Sequence, residues 1–307
     1  MDTRVCVRAD GVALVLVTEG DGLPWVLHWG ADCGELSDDE IAALIEADRW
    51  VLAPNGPDQG LILGVVPEAR FGWSGTPGLI GSREGSAWSP GWRLNSVTID
   101  GDPVEGLVHA GPAVIAYRAE APAEGLGLTI TVELLPSGLV RAKAELTNLG
   151  ETVYRLAELT VNLPVPNEAR EILDFGGRWG NERTVQRGVL NQGAHRRESR
   201  FGRTGANSAY VLNLGTAGLR LPRRRGLGVH TAFSGNHSPG ATRLSGCQPS
   251  WRRGALLPGE GDLAAGRSYA TPWVYFNYAG GLTARRRVSI NTCDRFPRTR
   301  KAIVPLP

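Results

Sequence analysis

Two adjacent stretches of strict alternation between apolar and polar residues constrain the fold of this chain most strongly. Residues 128–135 and 139–147 each alternate with a period of two, which is typical of a half-buried β-strand. The apolar positions of the first stretch are Leu128, Ile130, Val132 and Leu134. Pro136-Ser137-Gly138 separates the two stretches, and all three are turn-forming residues. The pattern predicts an antiparallel β-hairpin with one face in a core.

Glycine and proline extend this prediction to the whole chain. The 307 residues include 41 Gly and 20 Pro, about a fifth of the total against about 12% in average proteins. Chain breakers at this density exclude a helical bundle and favour many short strands joined by turns. Further short apolar runs lie at residues 12–17, 23–29, 61–66, 96–99, 113–118, 156–163, 209–214, 228–233 and 273–278. The fold class we expect is all-β, a large antiparallel sandwich.

One segment carries a helical signal. Ser37, followed three residues later by Glu40, forms a capping box ahead of apolar residues at helical spacing. This predicts a short amphipathic helix near residues 38–48. Asp38, Asp39 and Glu40 would then lie in its first turn, where acids stabilise the helix dipole, and we do not interpret them as a catalytic cluster.

Charge and targeting signals exclude several classes of partner. Lys and Arg total 33 and Asp and Glu total 31, so the net charge is +2 and there is no general field for nucleic acid or membrane. We interpret three local basic runs as solvated surface, namely Arg223-Arg224-Arg225, Arg285-Arg286-Arg287 and residues 298–301. The sequence has no secretory leader and no apolar run of about 18 residues. We therefore expect a cytoplasmic protein that binds neither nucleic acid nor membrane.

Motifs for cofactors, metals and catalysis are weak or missing in the sequence. The four cysteines are scattered and lie away from histidines, so we expect no zinc site, and no cofactor is indicated. No G-x-S-x-G or H-E-x-x-H motif occurs, and we assign no catalytic residue. His230 and His237 are near enough in sequence to converge if a turn joins them.

The tryptophans point to a loop with a function. The chain has nine, and three of them, Trp73, Trp88 and Trp92, lie in a Gly-rich stretch at residues 71–93. We expect this stretch to be a long loop, and long loops inside compact domains are commonly functional.

A series of short motifs, in a particular order, resembles a known family. Its central part is Gly177-Arg178-Trp179-Gly180-Asn181-Glu182-Arg183, then residues 198–205, then Ser234-Gly235-Asn236. A Leu27-His28-Trp29-Gly30 strand end precedes it, and Trp251-Arg252-Arg253, Gly259-Glu260 and Pro272 follow it. This order, over about residues 4–280, resembles the N-terminal domain of the α-galactosidases of glycoside hydrolase family 36.

The resemblance implies a particular fold and activity. In that family the N-terminal domain is a β-supersandwich, and the catalytic carboxylates lie on a following (β/α)₈ barrel. The expected organisation is therefore a supersandwich at residues 1–280 and a segment at residues 281–307 that leads toward a barrel. A barrel of about 250 residues does not fit in the remainder, so we expect this chain to be inactive alone. The parent reaction would be retaining hydrolysis of terminal α-galactosides.

The resemblance also implies binding partners and a site. Loops of the family's sandwich domain help to close the sugar pocket, sometimes across a subunit contact, so we expect galactoside binding and a homo-oligomer. The corresponding loop here is the tryptophan-rich stretch, with Trp73, Arg83, Glu84, Trp88 and Trp92 as the expected sugar-binding residues. Indole faces stack on the apolar side of a sugar, and charged groups bind its hydroxyls.

Two alternatives remain at the level of sequence. One is a stand-alone carbohydrate-binding or scaffold module that uses the tryptophan loop. The other is an aldose-epimerase-like sugar enzyme, which needs a His and a Glu that converge in one concave sheet.

Overall fold

A computed structural model of the chain describes residues 2–49, 62–71, 73, 75–203, 205, 211–216, 226–233, 235–244, 249–254 and 256–279. The segment at residues 281–307, which was predicted to lead toward a barrel, lies outside the described residues. The three basic runs at residues 223–225, 285–287 and 298–301 also lie outside them.

Strands dominate the described residues. A helix α1 spans Asp38–Asp48, and a short 3₁₀ turn spans Ala69–Phe71. The strands are β1 Thr3–Ala9, β2 Val12–Thr18, β3 Trp25–Ala31, β4 Leu79–Ser82, β5 Arg93–Ile99, β6 Asp102–Pro103, β7 Gly106–Ala110, β8 Ala113–Ala121, β9 Leu126–Leu134, β10 Val140–Asn148, β11 Tyr154–Pro164, β12 Glu171–Arg178, β13 Asn181–Val189, β14 Gly193–Arg196, β15 Val211–Gly215, β16 Gly226–Thr231, β17 His237–Arg243, β18 Pro249–Gly254, β19 Asp262–Leu263, β20 Ser268–Ala270 and β21 Val274–Ala279.

The strands form three sheets. The largest has eleven strands in the order β13-β12-β15-β16-β21-β10-β9-β8-β5-β6, with β20 also paired to β10. A six-stranded sheet has the order β14-β17-β18-β11-β19, with β4 also on β11, and a four-stranded sheet has the order β3-β2-β1-β7. All the pairings are antiparallel except β1 with β7, which is parallel. The prediction of an all-β sandwich is confirmed.

One hydrophobic core joins the three sheets. It includes Leu14 of the four-stranded sheet, Ile130 of the eleven-stranded sheet and Val161 of the six-stranded sheet, all fully buried. Because each sheet presents one apolar face to this common core, the large sheet lies against the two smaller ones. Within the described residues, no helix is long and apolar enough to cross a membrane.

The predicted hairpin is present as β9 and β10. Val132 lies opposite Ala142 and Ile130 opposite Ala144, and all four side chains face the core. Gly138 closes the connection with a positive φ of 75°. A side chain there would also come within 2.9 Å of Val12, so this turn position requires glycine on two grounds.

The predicted helix is also confirmed. Ser37 is its N-cap, and the Glu40 carboxylate accepts a hydrogen bond from the Ser37 backbone N–H at 2.8 Å, which completes the capping box. Ile41 and Ile45 pack under the helix on Cys6, Val15 and Val17 of the four-stranded sheet. A local capping signal and an apolar stripe are therefore sufficient to define this element.

Two expectations from the sequence need correction. The run at residues 61–66 is not a strand in its described part. Gly64 makes an isolated bridge to Trp25, and the Val65 N–H donates to Pro24 O at 2.9 Å, so the run packs beside β3 as irregular chain. The stretch at residues 71–93 is not loop throughout, because Leu79–Ser82 forms β4 on β11.

The buried face of the hairpin gives a direct test of the core. Ile130 is fully buried, and we expect Ile130→Ala to lower the free energy of unfolding by about 3 kcal/mol through lost burial and a residual cavity. Thr131, next to it on the outer face, is the matched control, and Thr131→Ala should change stability by under about 0.5 kcal/mol. Urea unfolding followed by circular dichroism measures both. Equal effects of the two substitutions would contradict the assigned faces.

Candidate functional site

The tryptophan-rich stretch ends in a tight hairpin turn. The Arg83 and Ser86 backbones hydrogen-bond to each other in both directions, at 2.8 and 2.9 Å. Glu84 and Gly85 between them have φ values of 50° and 84°. Two consecutive positive φ values define a type I′ turn, which usually has Asn or Asp followed by Gly. Glu84 occupies the first of these positions and is exposed.

Arg83 anchors this turn to the body of the sandwich. Its guanidinium donates to Asn148 Oδ1 at 2.8 Å, to Glu124 O at 3.2 Å and to the Thr152 backbone carbonyl. It also lies 5.8 Å from the centre of the Tyr154 ring. Asn148 is itself buried and donates to Leu263 O at 2.8 Å, so the anchor reaches β19. The contacts of Arg83 are therefore with protein groups that hold the turn.

The three tryptophans of the stretch have different environments. Trp92 is 2% exposed and belongs to the core, and Trp73 is 8% exposed with its indole Nε1 donating to Thr76 O at 2.8 Å. Trp88 is 63% exposed and follows the Glu84-Gly85 turn by three residues. Of the five predicted residues, Glu84 and Trp88 are therefore exposed, Arg83 is half-buried, and Trp73 and Trp92 are buried.

An ion pair between buried Glu68 and the more exposed Arg70 lies just before the stretch. The Glu68 side chain is 8% exposed, and Arg70 Nε lies 3.0 Å from its Oε2. Arg70 also donates to Trp92 O at 3.0 Å. Burial raises the pKa of Glu68 to about 7, and the positive charge of Arg70 opposes that rise. The pair links the start of the stretch to Trp92 and so limits its movement.

A second polar cluster joins Asp174 to His195 and Arg197, which are 21 and 23 residues later in the chain. Asp174 of β12 is 2% exposed, and its carboxylate accepts hydrogen bonds from Arg197 Nε at 2.7 Å and Nη2 at 3.2 Å. His195 Nε2 lies 2.7 Å from the same carboxylate. Burial opposes ionisation of Asp174, but the hydrogen bonds from His195 and Arg197 outweigh it and hold the pKa below its usual value. No motif in the sequence points to this cluster, whose one local signal is an Asp inside an apolar run.

The remaining motif segments meet beside this cluster. Ser199 and His237, both buried, exchange two backbone hydrogen bonds of 2.9 and 3.1 Å. The Gly202 N–H donates to Asn236 Oδ1 at 2.7 Å. Residues 199–202 are therefore held beside residues 236–237. The structure does not describe the side chains of three further motif residues, Ser234, Trp251 and Thr204.

The hairpin of β12 and β13 carries the first of the quoted motifs at its tip. Trp179 is 89% exposed there, and β13 is an edge strand with Val185 and Val189 exposed. His230 and His237, which are near each other in sequence, lie in different sheets, His230 on β16 and His237 on β17.

The difference between buried and exposed tryptophan is testable by stability. Trp92→Ala should lower the free energy of unfolding by about 3–5 kcal/mol, because the indole fills the core. Trp88→Ala should change it by under about 0.5 kcal/mol, because most of its surface is already in water. Chemical denaturation of both variants measures this. A large loss for Trp88→Ala would assign it a packing role and argue against a surface site.

The Asp174 cluster predicts a pH-dependent contribution to stability. Since the folded-state pKa of Asp174 is lowered, its contribution is complete above the unfolded pKa of about 3.9 and is lost as pH falls through the lower folded value. We expect Asp174→Asn to cost about 3 kcal/mol at pH 7 and progressively less below about pH 4. Exposed Asp10→Asn is the control. Unfolding free energies from pH 2 to 7 that differ by a constant amount would contradict the assignment.

Known proteins that are similar to this chain belong to the family that the order of the motifs indicates. The family model of the glycosyl hydrolase family 36 N-terminal domain matches residues 22–248. An α-galactosidase of Escherichia coli is 29% identical over 251 residues, which cover 81% of this chain and 33% of that protein. The chain thus spans about a third of the length of this curated relative.

Solved structures share the fold. A variant of the family 36 α-galactosidase AgaA of Geobacillus stearothermophilus in complex with raffinose matches with a TM-score of 0.79 at 18% identity, over 93% of this chain and 42% of that chain. The α-galactosidase of Lactobacillus brevis matches with a TM-score of 0.74 at 14% identity, over 91% of this chain and 40% of that chain. With the family match over residues 22–248, the resemblance is confirmed, and the chain belongs to the glycosyl hydrolase family 36 N-terminal domain family.

Proposed function

We propose that this chain is the non-catalytic sandwich portion of an α-galactosidase, whose parent reaction is retaining hydrolysis of terminal α-D-galactosides. The observation that carries the proposal is the family match over residues 22–248, together with the coverage of only 33% of the Escherichia coli α-galactosidase. A retaining glycosidase needs two carboxyl groups about 5–5.5 Å apart, which in this family belong to a following barrel.

In this proposal the Glu84-Gly85 turn and Trp88 contribute to the closure of a sugar pocket. Trp88 offers an exposed indole face for the apolar side of galactose, and Glu84 offers a carboxylate for hydroxyl groups. Arg83, Trp73 and Trp92 act by holding that surface in place. A rigid support lowers the entropy lost when a sugar binds, so these three residues would contribute to affinity without touching it.

We also propose that the chain self-associates and that the protein is cytoplasmic. The support for self-association is the exposed apolar group of Trp179, Val185 and Val189 on the edge hairpin of β12 and β13. Such residues on an unpaired edge strand favour contact with another chain. The support for a cytoplasmic location is that Cys6 and Cys33 are free thiols, which are typical of a reducing compartment.

A stand-alone carbohydrate-binding module is the second candidate, because exposed Trp88 is itself a sugar-stacking surface. Both candidates leave the chain without turnover. They differ in whether a catalytic barrel is encoded with it.

Assay and gene sequence together test the proposal. We expect the purified 307-residue chain to hydrolyse nitrophenyl α-galactoside at the background rate, since its proposed role includes no nucleophile or acid. We expect the DNA that follows codon 307 to encode a (β/α)₈ barrel with two catalytic carboxylates. Turnover by the isolated chain would refute a non-catalytic role. An unrelated downstream gene, with galactoside binding retained by the chain, would favour the stand-alone module.

A further inference from the structure

A cleft on the six-stranded-sheet side of the sandwich is separate from the tryptophan loop. It has a volume of about 380 Å³, which lies within the usual range of about 300–1,000 Å³ for small-molecule sites. Four parts of the chain line it: Gly202 after β14, residues 233, 235 and 236 between β16 and β17, the turn before β19, and residues 269–272 at the end of β20 and just after it. Strand β11 lies between the cleft's β19 side and the Arg83 turn, because β19 and β4 flank β11.

Aromatic side chains line this cleft. Phe233 is 48% exposed, and its ring lies so close to Gly235 that a Cβ there would be 2.1 Å from the ring edge. Gly235 therefore allows the Phe233 ring to lie against the backbone, with much of its surface in water. Tyr269 is half-buried on the wall that precedes β21. Exposed aromatic rings in a concave surface are the groups on which the apolar face of a sugar stacks.

The polar groups of the cleft are held in fixed positions. Asn236 Oδ1 accepts from the Gly202 N–H at 2.7 Å, and no partner of its Nδ2 lies among the described residues. Glu260 Oε2 accepts from the Leu257 N–H at 2.7 Å within its own turn, and this bond fixes the carboxylate of a residue that lines the cleft. Burial, with the nearby charge of Glu260, raises the pKa of Tyr269, so its hydroxyl stays protonated.

The back of the cleft is rigid. Thr271 is buried, its N–H donates to Ala144 O at 2.8 Å, and its hydroxyl accepts from the Ala144 N–H at 3.0 Å. These bonds attach the cleft wall to β10, in the centre of the large sheet. A preformed wall and fixed polar groups reduce the ordering cost of binding.

We propose that this cleft binds one neutral hexopyranose unit, stacked on Phe233 and hydrogen-bonded by Asn236, Glu260 and Tyr269. Amide, carboxylate and phenol groups together supply the donors and acceptors that sugar hydroxyls require. The lining residues that the structure describes include no lysine or arginine, and the Glu260 carboxylate repels anions, so phosphorylated or acidic sugars are disfavoured. A cationic ligand that has only hydrogen-bond donors could not accept a hydrogen bond from the Asn236 side-chain amide.

Calorimetric titration of the 307-residue chain with galactose and with glucose tests the proposal. We expect saturable hexose binding with a dissociation constant on the order of 1 mM, because a small ligand in an open cleft makes few contacts. Phe233→Ala should weaken it about tenfold or more, and Tyr269→Phe should weaken it several-fold. Glu260→Gln keeps an acceptor and should change it less than about threefold. Matching thermal unfolding curves show that each variant is folded.

Leu44→Ala is the matched control, since it removes an exposed apolar side chain of α1 that lies outside the cleft. Hexose binding that persists in Leu44→Ala and is lost in Phe233→Ala supports the cleft. Binding lost in Trp88→Ala and kept in Phe233→Ala overturns it and assigns the sugar to the loop of the proposed function. The absence of saturation at concentrations on the order of 100 mM also overturns it, as does choline binding that Glu260→Gln abolishes. None of these outcomes depends on whether a catalytic barrel follows the chain.

Discussion

Burial of one face of the eleven-stranded sheet against the two smaller sheets is the interaction on which the rest of the structure depends. Ile130, Leu14 and Val161 come from three different sheets and meet in one core without contact with water. Each sheet alone would expose its apolar face, so none is stable by itself. Every polar turn and surface residue discussed above is attached to strands that this common core holds together.

Two charged side chains, half-buried Arg83 and buried Asp174, attach further segments to that frame. Arg83 and Asp174 are removed from much of the solvent, and a charge in such a place is tolerated only when several partners hydrogen-bond to it. Their partners lie far away in sequence, at Asn148 for Arg83 and at His195 and Arg197 for Asp174. The hydrogen bonds that stabilise these two charges also hold the Glu84-Gly85 turn and strand β12 against the sandwich.

The two surfaces proposed to bind sugar follow the same design. Trp88 and Phe233 are exposed aromatic residues, and each is carried by a segment that is anchored by buried neighbours. For Trp88 the anchors are Arg83 and Trp92, and for Phe233 the anchor is the backbone at Gly235. In the proposed function the domain contributes to an enzyme in this way, by presenting rigid binding surfaces.

The sequence by itself determined the features that depend on local patterns. Alternation predicted β9 and β10, a capping box predicted α1, and the order of short motifs identified the family, because each signal lies within a few neighbouring residues. It did not determine which tryptophan is exposed, nor the partners of Arg83 and Asp174. The run at residues 61–66 also looked like a strand by composition alone. Only the tertiary structure decided these points, because burial and buried charge pairing depend on residues that folding brings together from distant parts of the chain.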